Sequence, residues 1–296
     1  MRIEWHLTTA LDFGVLRARG PDTIAFLQGQ LSNDSTRIQE GRWQLSGYHT
    51  PQGRAIALLR LTRLAPDDVL AILPRELTAL VAQRLKRFVL RAKVQITDES
   101  SQWQMRGFHG AAPELTAGSV AGPYGRTRQL VLTPAGSAAD PAAATGTRAD
   151  WIGCDIAEGL PQVYLATSEA FVAQMLNLDV TGGIALDKGC YTGQEIIARA
   201  HYRGQVKRRM QRFCSALPCT LAPGHAGVLG DGRSFKVVDC VALTDGRCEF
   251  LAVANPAPGA VAVPEPREDA EAAAPTQPPL AAQQLELPYE LPAPHT

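Results

Sequence analysis

The residues best suited to chemistry are a cysteine and a lysine two positions apart, Cys190 and Lys188, within the octapeptide Lys-Gly-Cys-Tyr-Thr-Gly-Gln-Glu. Thr192 followed by Glu195 has the spacing of a capping box, which predicts that a helix begins at Thr192. The free amide groups of a helix start, together with the charge of Lys188, would favour the reactive thiolate form of Cys190. The pattern therefore predicts a reactive cysteine. The alternative is a cysteine that only packs, because free cysteine is among the most buried residue types.

A cluster of basic residues follows the octapeptide, and its function can be interpreted in two ways. It comprises Arg199, His201, Arg203, Lys207, Arg208, Arg209 and Arg212. These side chains could hold the carboxylates of an acidic ligand or the phosphates of RNA. They could equally be a solvated strand edge, where Lys and Arg discourage aggregation. Cys214 and Cys219 lie five positions apart without a histidine at zinc spacing, so no permanently bound metal is expected.

The composition narrows the class of protein. The chain has 296 residues with 29 basic and 29 acidic side chains, so it lacks the global basic excess of a dedicated nucleic-acid binder. Any RNA contact would come from a local patch. No run of 18 apolar residues occurs, which predicts no membrane-spanning helix. Six cysteines without a Cys-x-x-Cys pair, in a chain that shows no secretory segment, favour reduced thiols and a cytoplasmic location.

Apolar periodicity predicts the elements that position these residues. Strands are predicted over residues 13–19, 43–49, 54–64, 68–73 and 92–97, with a hairpin turn at 50–53. Helices are predicted over residues 22–31, 76–90, 168–178 and 192–201. Short alternating runs from residue 206 onward indicate a small β domain. Two segments are rich in small residues and proline. We predict a loose connection over residues 133–149 and a disordered linker over residues 255–284. Residues 285–291 are apolar enough to return and pack against the rest of the protein.

The octapeptide and its continuation Ile-Ile-Ala-Arg-Ala-His-Tyr-Arg-Gly resemble the signature of the YgfZ family. Similar matches are Phe-Leu-Gln-Gly-Gln-Leu at 26–31, Leu-Lys-Arg-Phe-Val-Leu-Arg-Ala-Lys-Val at 85–94, and Leu-Pro-Tyr at 287–289. The resemblance implies an α+β fold of the glycine-cleavage T-protein type, with three subdomains around a central cavity and a C-terminal β-barrel. The implied division is a discontinuous first domain of residues 1–50 and 115–204, an inserted ferredoxin-like unit of residues 51–114, and the barrel in residues 205–296.

The resemblance also implies a function, namely folate-dependent support for the assembly or repair of iron–sulfur proteins, including enzymes that modify tRNA. The implied cofactor is tetrahydrofolate or a derivative. The partners would be iron–sulfur client proteins, with a transient contact to RNA or to a tRNA-modifying enzyme. Cys190 and Lys188 would be the chemically active pair. The residues expected to bind folate are Trp151, Phe13, Tyr191, Gly193, Gln194, Glu195, Arg199 and Arg203.

One departure bears on catalysis. Where the related T-protein, an aminomethyltransferase, has its catalytic aspartate, this chain has Leu77 or Thr78, which makes the ordinary transferase reaction an unlikely function. The T-protein's pterin-binding glutamate corresponds only loosely to Glu158, which is displaced by one position. Two alternatives stay open at this stage. The chain could be a folate-dependent transferase or demethylase acting on a small amine, or an RNA-interacting binding protein in which Cys190 is structural.

Overall fold

The computed structural model describes residues 6–8, 11–110, 114–137, 146–202, 206–256 and 278–292. Four α-helices lie in these ranges: α1 Thr23–Gln30, α2 Arg75–Lys86, α3 Arg148–Ala157 and α4 Gln194–Tyr202. The strands of the N-terminal half are β1 His6–Thr8, β2 Phe13–Arg19, β3 Gln44–His49, β4 Ala55–Ala65, β5 Asp68–Pro74, β6 Gln95–Asp98, β7 Trp103–His109, β8 Val120–Tyr124 and β9 Arg128–Pro134. The strands of the C-terminal half are β10 Arg209–Ser215, β11 Ala226–Val228, β12 Ser234–Ala242, β13 Cys248–Ala254 and β14 Ala282–Leu285.

A five-stranded antiparallel sheet, in the order β3-β4-β5-β2-β6, separates two hydrophobic cores. Alternate residues of β5 face opposite sides, so that Val69 and Leu73 join one core while Leu70 and Ile72 join the other. Helix α2 covers the first side. Because both faces are buried, β4 and β5 read as nearly continuous apolar runs rather than as alternating ones.

The second core lies between this sheet and a four-stranded sheet in the order β1-β7-β9-β8. Helix α3 supplies Trp151 to it, whose ring lies over Gly107 of β7 so closely that an added Cβ would be 2.2 Å from a ring carbon. The ring centroids of Trp151 and Tyr124 are 4.7 Å apart. Helix α3 begins with a capping box formed by Thr147 and Asp150.

The third sheet has the order β11-β12-β13-β10-β14 and is antiparallel throughout. The C-terminal region is therefore β-rich, as expected from the sequence. Within the described residues its ladder does not close into a complete barrel. A parallel bridge between Leu229, just after β11, and Leu280, just before β14, brings the two edges of the sheet together outside the strands.

Several local expectations are corrected. Helix α2 ends at Lys86 rather than at residue 90, because the chain turns there and Leu90 adopts a φ of 34° that no right-handed helix allows. The helix expected over 168–178 is replaced by two short 3₁₀ turns, Leu165–Thr167 and Ala173–Leu176. Left-handed Glu169 and Asn177, with φ values of 63° and 55°, interrupt any continuous helix.

The linker predicted over residues 255–284 includes residues that form a strand. Residues 282–285 form β14, which pairs with β10, while residues 257–277 lie outside the described ranges. In the connection expected over 133–149, β9 runs to Pro134 and α3 begins at Arg148, so both ends are structured. The C-terminal segment docks as expected, since Leu287 packs against the main core.

The domain division remains a prediction, although the sheets cut across its boundaries. The boundary after residue 50 falls in the turn of the β3–β4 hairpin, and both strands belong to one sheet. Strand β7, in the expected inserted unit, pairs with β9 of the expected first domain. Among the described residues, no helix combines the length and the apolar character needed to cross a bilayer.

Candidate functional site

A cleft of about 510 Å³ lies between the first two sheets, and the C-terminal segment closes one side of it. Its lining consists of Trp43, Gln44, Leu45, Arg60, Pro123, Tyr124, Gly125, Arg126, Glu158, Leu160, Thr181, Gly182, Pro288 and Tyr289. This volume falls in the usual range for small-molecule sites. Three aromatic rings and two arginines in one cleft are suited to a flat ligand that carries negative charge or acceptor oxygens.

Arg60 is the most unusual of the lining residues. It is only 5% exposed, and its guanidinium carbon lies 4.4 Å from the centroid of the Tyr124 ring. Among the described residues, no carboxylate lies within ion-pair distance of it. A buried charge without a counter-ion is costly, because desolvation is not repaid. Arg60 therefore marks the part of the cleft that is best prepared for an anionic or acceptor group of a ligand.

Tyr124 is fixed from its other side by a buried ion-pair network. Arg128 lies 4.9 Å from the Tyr124 ring centroid, and it pairs with Asp155 at 2.7 Å and with Glu158 at 3.2 Å. The Tyr124 hydroxyl donates to Asp155 at 3.3 Å, and burial raises the pKa of that hydroxyl. The backbone N–H of Arg126 also donates to Glu158, at 2.6 Å. Glu158 lines the cleft, but its oxygens are already engaged within the protein.

The other two aromatic side chains are also held in place. The indole N–H of Trp43 donates to the Leu130 carbonyl at 3.1 Å. The hydroxyl of Tyr289 donates to the Gly159 carbonyl at 2.7 Å, and Gly159 has a φ of 63°. An added Cβ at Gly159 would lie 2.7 Å from that hydroxyl oxygen, so only glycine allows the contact. The cleft is therefore largely preformed.

Cys190 is exposed and does not line the cleft. Helix α4 begins at Gln194, so the residue ahead of it is Gly193, and the expectation that Thr192 is the N-cap is wrong. The reason is steric. Gly193 has a φ of 84° and packs on the β3–β4 turn, where an added Cβ would be 2.5 Å from the Thr50 carbonyl oxygen. The start of α4 is thus set by this turn.

Lys188 turns away from solvent and binds the end of helix α1. Its Nζ donates to the carbonyl oxygens of Gln28 at 2.8 Å, Leu31 at 2.6 Å and Asn33 at 2.8 Å. Cations favour the carbonyl end of a helix, and here the ammonium uses all three of its donors there. Burial lowers the pKa of Lys188 to about 8, so the charged form still predominates at neutral pH.

Asn33 connects this lysine to the cleft. Its side-chain amide donates to the carbonyl oxygens of Leu45 and Gly182, both at 2.7 Å, and both of these residues line the cleft. The octapeptide therefore lies behind one wall of the cleft. A chain of hydrogen bonds from Lys188 through Asn33 links the two.

The remaining octapeptide residues divide between the core and the surface. Tyr191 is buried, its ring centroid lies 4.9 Å from Lys188 Nζ, and burial raises the pKa of its hydroxyl to about 12. Gln194 donates to the Lys188 carbonyl at 3.5 Å. Glu195 and Arg199 are exposed on α4. Arg203 lies outside the described residues.

Comparison with known proteins shows which family this chain belongs to. No family model matches the chain. The tRNA-modifying protein YgfZ of Edwardsiella ictaluri is 30% identical, over 88% of this chain and 87% of that protein. The chain belongs to the YgfZ family. YgfZ of Cronobacter sakazakii is 27% identical over 86% of each chain, and an uncharacterized protein of Haemophilus influenzae is 29% identical over 68% of this chain and 70% of that one.

The fold of this YgfZ-family chain matches that of a solved aminomethyltransferase. The glycine cleavage system aminomethyltransferase T of Bartonella henselae superimposes with a TM-score of 0.68 at 14% identity, covering 85% of this chain and 79% of that one. The α+β fold of the T-protein type, expected from the sequence, is thereby confirmed.

The aromatic residues expected to contact a ligand in this YgfZ-family member lie elsewhere. Trp151 is 1% exposed in the core behind Tyr124, and Phe13 is half-buried in the same core. Neither lines the cleft, so Trp151 supports its wall instead. Arg60 was not among the site residues predicted from the sequence. A lone arginine in the apolar run Ile-Ala-Leu-Leu-Arg-Leu does, however, indicate a buried charge with a specific role.

Part of the basic cluster of this family member is engaged by its own fold. Arg209 pairs with Asp179 at 2.8 Å, and Arg212 pairs with Glu249. Arg208 donates to the Ser234 hydroxyl at 3.2 Å. The charges of Arg209 and Arg212 are therefore neutralised within the protein, whereas Arg208 forms a hydrogen bond to a neutral hydroxyl.

Proposed function

We propose that this chain binds tetrahydrofolate or a derivative in the cleft, and that it supports iron–sulfur proteins, among them enzymes that modify tRNA. The observation that carries the proposal is the buried, carboxylate-free guanidinium of Arg60 on the Tyr124 ring inside the cleft. A guanidinium that opens into a preformed cleft can donate charge-assisted hydrogen bonds to a carboxylate or carbonyl group of a ligand.

The lining fits the chemistry of a folate. A folate combines flat rings with a carboxylate tail, and the cleft offers aromatic faces from Trp43, Tyr124 and Tyr289 together with Arg60 and Arg126. Aromatic contacts contribute about 0.5–1.5 kcal/mol beyond area burial. Arg126 is exposed at the rim, where a flexible acidic tail would leave the cleft.

The role in tRNA modification draws on family membership, since several relatives are named tRNA-modifying proteins. The role in iron–sulfur maintenance draws on the family resemblance of the octapeptide and on the exposure of Cys190. A single cysteine cannot hold a cluster that takes about four ligands, so any cluster contact would be shared with a client protein. The hydrogen bonds from Lys188 through Asn33 would let the folate-loaded wall stabilise the segment that presents Cys190.

Folate binding is tested by calorimetric titration of the full chain with tetrahydrofolate. Wild-type protein should bind, and saturating ligand should raise the melting temperature because it binds only the native state. Arg60→Leu should weaken binding at least tenfold. Arg247→Leu is the matched control, because the side chain of that arginine is 42% exposed and, among the described residues, forms an ion pair only with Asp245. Absence of both heat and thermal shift in the wild type would refute the folate proposal.

The iron–sulfur role is tested by complementation in a bacterial strain that lacks its own YgfZ. The readout is the activity of a [4Fe–4S] enzyme, normalised to the amount of folded chain. Cys190→Ser should fail to restore it, whereas Cys214→Ser, a half-buried cysteine of the third sheet, should restore it. Full restoration by Cys190→Ser would remove the cysteine from the proposal.

A further inference from the structure

The turn after helix α2 presents an unusual surface, formed by Lys86, Arg87, Phe88, Leu90, Arg91 and Lys93 and called here the 86–93 surface. Phe88 is 50% exposed and Leu90 is 88% exposed. All four of its cations are exposed as well. Large apolar side chains that project into water between cations are typical of a contact surface rather than of a stable free surface.

Backbone hydrogen bonds hold this surface in one shape. Phe88 N–H donates to the Leu85 carbonyl at 3.0 Å, and Ala92 N–H donates to the Val89 carbonyl at 2.6 Å. At the far end, Lys93 N–H donates to the Asp22 carboxylate at 2.7 Å. Between these anchors, Leu90 has a φ of 34°, which is unfavourable for a residue with a Cβ. The fold thus maintains a strained turn whose apolar side chains face outward.

The positive charge of this surface is unbalanced. In the described part of the chain, no ion pair involves Lys86, Arg87, Arg91 or Lys93, whereas the neighbouring Arg84 is paired with Glu169 at 2.7 Å. The segment from residue 84 to residue 93 holds five basic residues and no acidic one, in a chain whose net charge is zero. The cations at 209 and 212, by contrast, are neutralised by Asp179 and Glu249.

We propose that the 86–93 surface binds an unpaired stretch of RNA, with phosphates on the four cations and a base stacked on Phe88. Single-stranded nucleic acid is recognised by this combination of a basic track and an exposed aromatic ring. A second copy of the chain is disfavoured, because a two-fold contact would set like charges against each other. A membrane is disfavoured, because two protruding side chains on a turn lack the continuous apolar face of an interfacial helix.

This inference goes beyond the proposed folate site. None of the residues of the 86–93 surface lines the cleft. The two binding activities should therefore be lost independently of each other. Arg60→Leu should leave RNA binding intact, and changes in the 86–93 surface should leave folate binding intact.

The test is fluorescence anisotropy of a labelled 12-nucleotide oligouridine titrated with the full chain at several salt concentrations. Four phosphate contacts predict a slope of about −2.8 for log K against log salt, since single strands release about 0.7 ions per contact. The quadruple variant Lys86→Gln, Arg87→Gln, Arg91→Gln, Lys93→Gln should lose measurable binding. Phe88→Leu should bind about tenfold more weakly while keeping the salt slope, because only stacking is lost.

The matched control is a second quadruple variant, Arg42→Gln, Arg54→Gln, Arg75→Gln, Arg148→Gln, which removes the same net charge from exposed positions elsewhere. It should retain binding within about twofold to threefold. Thermal unfolding of all variants confirms that they are folded. No wild-type binding at low salt, an equal loss in the control, or an unchanged affinity in Phe88→Leu would overturn the proposal. Tighter binding to duplex RNA or to phosphatidylserine vesicles than to oligouridine would also overturn it.

Discussion

The ammonium nitrogen of Lys188 lies 2.8 Å from the carbonyl oxygen of Asn33, although 155 positions separate the two residues in sequence. The side chain of the same asparagine holds Gly182 at the wall of the cleft. The lysine next to the exposed cysteine therefore has a structural task, which is to anchor the octapeptide to the end of α1 and to the cleft. This relationship leads to the first prediction.

Lys188→Met should lower the free energy of unfolding by about 2–4 kcal/mol, because three carbonyl oxygens lose a charged hydrogen-bond donor. Urea unfolding at neutral pH measures this. Lys86→Met is the control and should change stability by less than about 0.5 kcal/mol, because Lys86 is exposed and forms no ion pair among the described residues. Equal stabilities for the two variants would contradict the anchoring role.

Cys190 should be the fastest-reacting thiol of the six in the native protein. It is the only exposed cysteine, and burial raises the pKa of Cys154, of Cys240 to about 12, and of Cys248 to about 11. Reaction with a disulfide reagent such as DTNB should show one fast phase of a single thiol. Cys190→Ser should abolish this phase and Cys214→Ser should retain it. A fast phase that survives in Cys190→Ser would show that the exposed position is not the reactive one.

Asp239→Asn should stabilise the protein at high pH. Asp239 is buried, accepts a hydrogen bond from the Tyr164 hydroxyl at 2.8 Å, and burial raises its pKa to about 7. Between about pH 4 and pH 7 the folded state retains a proton that the unfolded state has released, so wild-type stability falls as the pH rises. The variant is neutral throughout and should be more stable by up to about 4 kcal/mol at pH 8, with little difference near pH 4. Denaturant unfolding across this range measures the change, and parallel curves for the two proteins would refute it.

His49 should produce the opposite pH dependence. It is fully buried, neither ring nitrogen has a hydrogen-bond partner among the residues that the structure describes, and burial lowers its pKa to about 4. Below pH 6.5 the unfolded state takes up a proton that the folded state resists until about pH 4, so stability is lost as the pH falls through this window.

The prediction for His49 is best measured in the Asp239→Asn background, where the opposing contribution is absent. Stability should fall by up to about 3 kcal/mol between pH 6.5 and pH 4 in Asp239→Asn, and this decline should vanish when His49→Gln is added. The slope, rather than the absolute stability, is the readout, because the substitution itself alters packing. An unchanged slope would show that another group is responsible.

The elements of the first sheet could be predicted from sequence, because the information is local. β2, the β3–β4 hairpin and β5 follow from apolar runs broken by turn residues, and the structure places all of them within two residues of the expected limits. The helix expected over 168–178 failed because left-handed Glu169 and Asn177 serve long-range contacts. Asn177, for example, donates to the Met210 carbonyl at 2.9 Å.

For the candidate site, too, local features could be predicted from the sequence and long-range contacts could not. The sequence by itself determined the family and the T-protein type of fold, because these depend on a contiguous motif and on patterns along single elements, but it left open whether Cys190 is exposed or packed. Only the tertiary structure decided that Lys188 caps α1, that Trp151 supports a wall, and that Arg60 meets Tyr124 in a cleft. Each of these contacts joins residues many positions apart, and a buried charge reveals its need for a partner only when the surrounding elements have excluded water.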